Sequence, residues 1–507
     1  MIKKTFVLHP FLLIVVPFLF FYTHNIGEMS PQVVILPIVA GILVIFFLQI
    51  LLSLIITNKE KKGILISLFI LMIFMYGMAD SVFLWLIRVS LRRLFQIRAT
   101  IQDLINVGYT NYLLLVYVLI FFLSIFFLIR TKKNIKVFNK VVNVAAISLI
   151  ILNVFQIIAF GLNKKENLIT PSGEQTLLNI NDKPDIYYII LDGYANSNIM
   201  KEFYNYDNTE FVNFLIKKGF YVTTQSRSNY PKTLLSLSSS LNMGYLVGTN
   251  IPDDGMLYNL IQNNKVMQLL NVVGYKTINI GSIANVSNME VADININCGS
   301  FLVNEYYQIL FDVTMLKFLK KYFNFEDLYR ESFLSAFSKL SSIKRELGES
   351  NDPFFVFAHI FPPHPPYLFG PNGEPVNGDL SMKWDRSKKY MKLYENQLIF
   401  VNKMMMKVVE NIISNAKNET IIIIQSDHGT LNFTDINNLE VQMKIFNAIL
   451  LPEGDENNFY DSITPVNTFR IIFNHYFKTH YDLLKDKSYF PERKFPYKFL
   501  DVTKEIM

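Results

Sequence analysis

Residues 421–430 read Ile-Ile-Ile-Ile-Gln-Ser-Asp-His-Gly-Thr, and the order of their chemistry decides the fold. Four β-branched side chains in a row suit a strand buried on both faces of a parallel sheet. An acid and an imidazole, Asp427 and His428, follow at the carboxyl end of that strand, where open α/β sheets place their ligands. Gly429 then lets the backbone turn with no Cβ in the way. A capping acid beside a surface histidine would explain an isolated Asp-His pair as well, so the weight falls on the rest of the chain.

Upstream, the pattern from Asp185 alternates short β-rich runs with helical ones. Strands are expected at 186–191, 220–224, 275–280, 354–360, 421–425 and 446–451, and helices at 208–218, 233–243, 263–273, 390–414 and 466–477. This is the rhythm of a mainly parallel sheet flanked by helices. Residues 295–350 read as mostly helical without a definite place in that scheme. No internal repeat or low-complexity segment interrupts it.

Three further segments carry chemistry. The first strand ends in Leu191-Asp192-Gly193, the same sequence logic as the later one, and two strand-end acids of a parallel sheet can face one crevice. Asp192, Asp427 and His428 would supply O, O and N donors to a divalent metal, although most Asp-Gly pairs are only turns. In Asn229-Tyr230-Pro231-Lys232-Thr233 the proline keeps Tyr230 extended, and an apolar pattern begins at Leu234, so Thr233 falls at a helix amino terminus. A threonine there is commonly an N-cap. On a metal, its hydroxyl would lose a proton more easily and could attack phosphorus or sulfur. Lys232 lies beside it. The run from Phe354 to Tyr367 delivers His359 from a strand and His364 from a loop holding four prolines, which limits the entropy lost on meeting a ligand.

The first 160 residues are of another kind. Although 51% of the 507-residue chain is hydrophobic, that content concentrates in apolar runs at about 5–22, 33–57, 64–87, 111–129 and 138–160, mostly long enough for the roughly 20 residues a transmembrane helix needs. Five spans are expected, the first retained rather than cleaved, because residues 23–30 offer no small-residue cleavage pattern. Lys3, Lys4, Lys59, Lys61, Lys62, Arg130, Lys132, Lys133 and Lys136 fall on one side of such an arrangement, while residues 23–32 contain neither Lys nor Arg. The amino terminus is therefore expected in the cytoplasm and everything after about residue 161 outside. Arg88, Arg92, Arg93 and Arg98 depart from this pattern, and the Val89, Leu91, Leu94, Phe95 spacing reads as an interfacial amphipathic helix. Asp80, the acid well inside a span, is expected to pair with Arg88. Residues 161–183 read as a linker and 184–507 as one α/β domain. The single cysteine, Cys298, excludes an intramolecular disulfide and any multi-cysteine metal site. A net charge of +6, sited largely beside the spans, gives no indication of nucleic-acid binding.

Taken in order, Leu191-Asp192-Gly193, Thr233, Pro363-His364-Pro365-Pro366 and Ser426-Asp427-His428-Gly429 resemble the motifs of the alkaline phosphatase and sulfatase superfamily over roughly residues 184–475. With the membrane half, the chain looks like that superfamily's membrane-anchored branch, the lipoteichoic acid synthases and phosphoethanolamine transferases. The resemblance implies an alkaline-phosphatase-like α/β fold. Asp192, Thr233, Asp427 and His428 would hold one divalent ion (zinc, manganese or magnesium), with Thr233 also the nucleophile. His364 would meet the transferred anion, and His359 and Lys232 would serve a second ion or the substrate. The chain lacks the Cys/Ser-x-Pro-x-Arg setting of formylglycine sulfatases, and Gly193 stands where those enzymes usually carry a second acid.

The implied function is transfer of a phosphorylated head group from a phospholipid donor to an envelope polysaccharide or glycolipid in a bacterial plasma membrane. A sulfatase-like hydrolase or phosphodiesterase would use the same residues with water as acceptor. A noncatalytic, glycan-binding envelope assembly protein is the third reading, and it would not require a metal-activated hydroxyl.

Overall fold

A computed structural model of the chain describes residues 6–26, 29, 31–94, 109–164, 183–281, 285–287, 289, 291–346, 352–376, 387–430, 439–452 and 459–507. They fall into two compact units, one of residues 1–169 with 306–324, the other of residues 170–305 with 325–507.

In the second unit a seven-stranded sheet has the order β2-β7-β6-β1-β5-β3-β4. Its strands are β1 (Asp185–Leu191), β2 (Tyr221–Val222), β3 (Lys276–Gly281), β4 (Ile294–Asn297), β5 (Phe354–Ile360), β6 (Thr420–Gln425) and β7 (Asn447–Leu450). The pairs β6–β1, β1–β5, β5–β3 and β3–β4 are parallel, and only β7 runs against its neighbours. Ile421 to Ile424 are all fully buried. Ile422 and Ile424 face a core shared with the helices Thr209–Lys217 and Lys388–Asn415, while Ile421 and Ile423 face one shared with Lys265–Val272 and Pro465–Tyr476. At about 1.5–3 kcal/mol for each fully buried aliphatic side chain, the two-sided strand is a large local source of stability.

The amino end of β1 is fixed by charge. Asp185 is buried and accepts from Lys344 Nζ at 2.8 Å and from the Phe354 amide at 3.3 Å, joining β1 and β5 to the Phe325–Glu346 helix.

The first unit contains the apolar helices α1 (His9–His24), α2 (Ile35–Ser53), α3 (Lys59–Phe74), α4 (Tyr76–Leu94), α5 (Tyr109–Arg130) and α6 (Lys136–Lys164). Among the described residues, three segments are long and apolar enough to cross a membrane: Pro31–Ser53, Tyr109–Arg130 and Lys136–Leu162. α3 and α4, bent by 60° at Met75, make a fourth if they form one broken span. The sequence window at 64–87 runs straight across that bend. α1 has only 16 residues, about 24 Å at 1.5 Å per residue, against a hydrocarbon core of about 30 Å. A fifth span would therefore rest on α1, which starts in a polar knot. His9 meets Ser67 Oγ at 2.5 Å and Asn139 Oδ1 at 2.9 Å, and its amide donates to Asn143 Oδ1 at 2.8 Å.

One expectation needs correction. Asp80 pairs with Lys317 at 3.2 Å and not with Arg88. The eight residues from Asp80 to Arg88 amount to about 12 Å along a helix, too far for an ion pair. Residues 306–324 cluster with the apolar helices, between the two stretches of the second unit. The interfacial helix read at 88–110 and the linker at 161–183 lie largely outside the described residues, although Arg88 itself is part of α4.

Two outcomes are expected. Lys344→Ala strands a buried carboxylate and should cost about 3–5 kcal/mol, read as a fall in the unfolding midpoint of the protein in detergent. In intact cells, an amino-terminal tag and a cysteine at Lys61 should both resist impermeant reagents while a cysteine at Val272 reacts. A tag that reacts while Lys61 is protected would mean that α1 does not cross.

Candidate active site

The parallel register sets the level of the strand ends. Ile190 of β1 lies opposite Gln425 of β6 and His359 of β5, so Asp192 and Asp427, each two residues beyond that β1–β6 pair, leave the sheet side by side. The Asp192 amide still donates to Ile360 O of β5 at 3.0 Å. Gly193 turns away in the left-handed region, at φ +69°, and its amide donates to Asp427 Oδ1 at 3.1 Å, as does the His428 amide at 2.9 Å. Gly429 is required by space rather than by dihedral, since a Cβ there would collide with the Val441 carbonyl.

Asp192, His359 and Asp427 are all buried, and each offers a ligand atom within 4.8 Å of the others. His359 Nε2 lies 3.4 Å from Asp192 Oδ2, and His428 Nε2 lies 3.4 Å from both Asp192 Oδ1 and Asp427 Oδ2. Asp192 Oδ1, His359 Nε2 and Asp427 Oδ2 are buried without a hydrogen-bond partner. Orphaned buried polar atoms carry a desolvation penalty of about 1–3 kcal/mol each, more when charged. A divalent cation would satisfy all three at once, and an O, O, N donor set suits zinc, manganese or magnesium. The residues present fit such an ion.

The histidines are oriented for it. Nδ1 of His428 meets Gly429 O at 2.7 Å and Nδ1 of His364 meets Pro365 O at 2.7 Å. A carbonyl can only accept, so both rings carry the proton on Nδ1 and turn a lone pair on Nε2 elsewhere when neutral. Nδ1 of His359 meets Ser287 Oγ at 2.7 Å. Burial pushes the Asp192 carboxyl up, but the neighbouring imidazoles of His364, His359 and His428 outweigh it and hold the group at about 2. Burial lowers the His364 imidazole below its ordinary value, with Asp192 opposing.

Thr233 is the first residue of an eight-residue helix, after a Lys232 cap position that makes no side-chain capping bond. Its hydroxyl lies 3.2 Å from His428 Nε2. The approach to this helix is tightly held: Asn229 accepts from the Val466 amide at 2.9 Å and donates to Lys487 O at 2.9 Å, and Tyr230 OH accepts from the Leu246 amide at 2.7 Å.

His364 sits half-buried with its ring centroid 6.4 Å from that of His428. Its loop is gripped by Gln397, fully buried on the Lys388–Asn415 helix, whose amide nitrogen donates to the carbonyls of His364 at 3.0 Å and Pro366 at 3.2 Å. Asp192, Thr233, His359, His364, Asp427 and His428 thus form one connected group. Lys232 is half-buried next to Thr233. Sequence reasoning missed Ser287 and Gln397, whose residue types give no signal until the loops they hold are known.

No family model and no curated protein matches the chain. Solved structures do resemble it at low identity. The C-terminal periplasmic domain of EcEptC from Escherichia coli, in complex with Zn, is 12% identical over 64% of this chain and 94% of that one, with a TM-score of 0.42. The integral membrane lipooligosaccharide phosphoethanolamine transferase A from Neisseria meningitidis is 13% identical over 92% of this chain and 95% of that one, at 0.40. A Bacteroides thetaiotaomicron protein described with the metabolism of multiple glycosaminoglycans is 15% identical over 63% and 84%, at 0.41.

Metal content gives the direct check. Protein purified with Asp192→Asn or His359→Ala should lose its divalent ion by elemental analysis, while Ser287→Ala should weaken metal affinity about 10–100-fold without abolishing it.

Proposed function

We propose that the chain is a membrane-anchored, metal-dependent transferase that carries a phosphorylated head group, of phosphoglycerol or phosphoethanolamine type, from a phospholipid donor to an envelope polysaccharide or glycolipid. The observation that carries this reading is the Thr233 hydroxyl, 3.2 Å from His428 Nε2 on the rim of a buried two-carboxylate cluster. Thr233 is the first helical residue, and the cap position before it is Lys232.

The chemistry has two displacements. Thr233 Oγ attacks the donor phosphorus, forming a P–O bond to the enzyme and breaking the one to the lipid alkoxide, which takes up a proton and leaves as diacylglycerol. An acceptor hydroxyl then attacks the same phosphorus, loses its proton and restores Thr233. A divalent ion held by Asp192, Asp427, His428 and His359 would supply positive charge that favours the ionised threonine and offsets charge developing on the phosphoryl oxygens. Asp427 is fixed by the backbone amides of Gly193 and His428, so it needs no reorganisation during the reaction. His364 is placed to meet the transferred group's oxygens, and Gln397 keeps its loop in position. The amide groups opening the Thr233–Ser240 helix add a favourable field for an anion.

The membrane supports transfer over plain hydrolysis, because apolar spans keep the site near lipid donors in the same bilayer. The α/β domain is accordingly assigned to the extracytoplasmic side of the plasma membrane, where envelope glycans lie.

Full-length enzyme incubated with phosphatidylglycerol or phosphatidylethanolamine and quenched in acid should carry the head group on Thr233 by peptide mass spectrometry. Thr233→Ala should abolish turnover with an unfolding midpoint close to that of the parent, while His364→Ala should retain slow activity and an intact metal site. Near-normal turnover in Thr233→Ala would overturn the covalent mechanism. Release of free head group with no acceptor product would favour the hydrolase.

A further inference from the structure

The chain leaves the α/β unit after Glu305, spends residues 306–324 with the apolar helices, and returns at Phe325. This excursion is built into that unit. Tyr306, Tyr307 and Leu310 are buried in one core with Phe18, Tyr22 and Val34, and Tyr307 OH donates to Val33 O at 2.9 Å. Lys317 reaches Asp80 of α4 at 3.2 Å, with its ammonium 4.6 Å from the centre of the Tyr76 ring. At Gly77 the backbones approach so closely that a Cβ would collide with the Val313 carbonyl.

The opposite side of the excursion is apolar and exposed. Leu319, Tyr322 and Phe323 are 44%, 73% and 39% exposed. On the 3₁₀ turn Met315–Tyr322, Leu319 and Tyr322 lie three residues apart and so share one line along it, while Leu316, one turn earlier, packs against the core of the apolar helices. Exposed apolar side chains on and just after a lysine-bearing turn have the composition of an interfacial segment. Their attachment to helices whose own outer faces are apolar makes lipid the occupant continuous with that surface, and tyrosine favours the head-group level.

We propose that residues 306–324 form a membrane-interface anchor, with Leu319, Tyr322 and Phe323 seated among lipid head groups and upper acyl chains, and with Lys317–Asp80 and the Gly77–Val313 approach holding the segment on the helices. Because the chain enters this anchor from the α/β unit and returns to it, the segment adds two covalent connections between the units. The inference concerns attachment and does not depend on the reaction.

Full-length protein with Cys298→Ser and a single cysteine at Leu319 or Tyr322, labelled with an environment-sensitive fluorophore, would be placed in liposomes containing lipids with a nitroxide near the head group. Label at either position should be quenched several-fold more than label at Val272, a 78% exposed residue of the α/β unit. Quenching equal to that at Val272 would overturn the proposal. So would protection from both the lipid nitroxide and aqueous iodide, which would mean that a second copy or another protein covers the face. Gly77→Val should reduce quenching at Leu319 toward the Val272 value. Lys317→Asp should do the same, and the added exchange Asp80→Lys should restore it, an outcome that general misfolding would not give.

Discussion

Two carboxylates and two imidazoles lie buried at the ends of three parallel strands, and most of what is specific to this protein depends on holding them there. Side by side in a medium that excludes water, such groups are unstable unless they are paired, hydrogen-bonded or bound to a cation. The fold supplies part of the compensation. Backbone amides of Gly193 and His428 satisfy Asp427 Oδ1, and the histidines hold Asp192 in its ionised form. Three polar atoms remain unsatisfied. They belong to three different strand ends and turn toward one place, which is the pattern expected of a site completed by a ligand.

Register is what converts a sequence pattern into that site. Parallel pairing leaves no freedom in the relative height of Asp192 and Asp427 once Ile190 lies opposite Gln425, and a slip by one residue would send every side chain of β1 to the other face. The buried Asp185–Lys344 pair at the opposite end of β1 opposes such a slip, since moving the strand would strand a charge. The stability of one end of the sheet and the chemistry of the other are thus linked through seven residues of a single strand.

The central strands were legible because burial on both faces leaves an uninterrupted apolar run: β5 occupies the expected 354–360, and β1 and β6 begin one residue earlier than read. β4, at the sheet edge, alternates Ile294 and Ile296 with asparagines and gave no such run. Among the site residues, those at strand and helix ends could be found because the termini of regular elements are where their backbone leaves room for ligands. Ser287 and Gln397 could not, because they act through loops whose course is set by tertiary contacts. His359 was assigned a peripheral part on its sequence position, yet its ring reaches Asp192 because β5 is the direct neighbour of β1, and strand order is not written in any local pattern.

The membrane half was legible in composition and not in detail, for a related reason. A hydropathy window reports that a stretch is apolar and cannot report a bend at Met75 or a helix ending after 16 residues. Nor can it say which partner a helical stretch will choose: residues 306–324, part of a region read as mostly helical without a definite place, lie on the apolar helices. Asp80 shows the physical basis of that choice. A carboxylate in an apolar helix has a strong need for a cation, the nearest arginine along its own helix is two turns away, and Lys317, 237 residues later in sequence, meets that need. The acid therefore selects a long-range partner over a local one, and its charge helps determine which part of the outer half stays with the membrane helices.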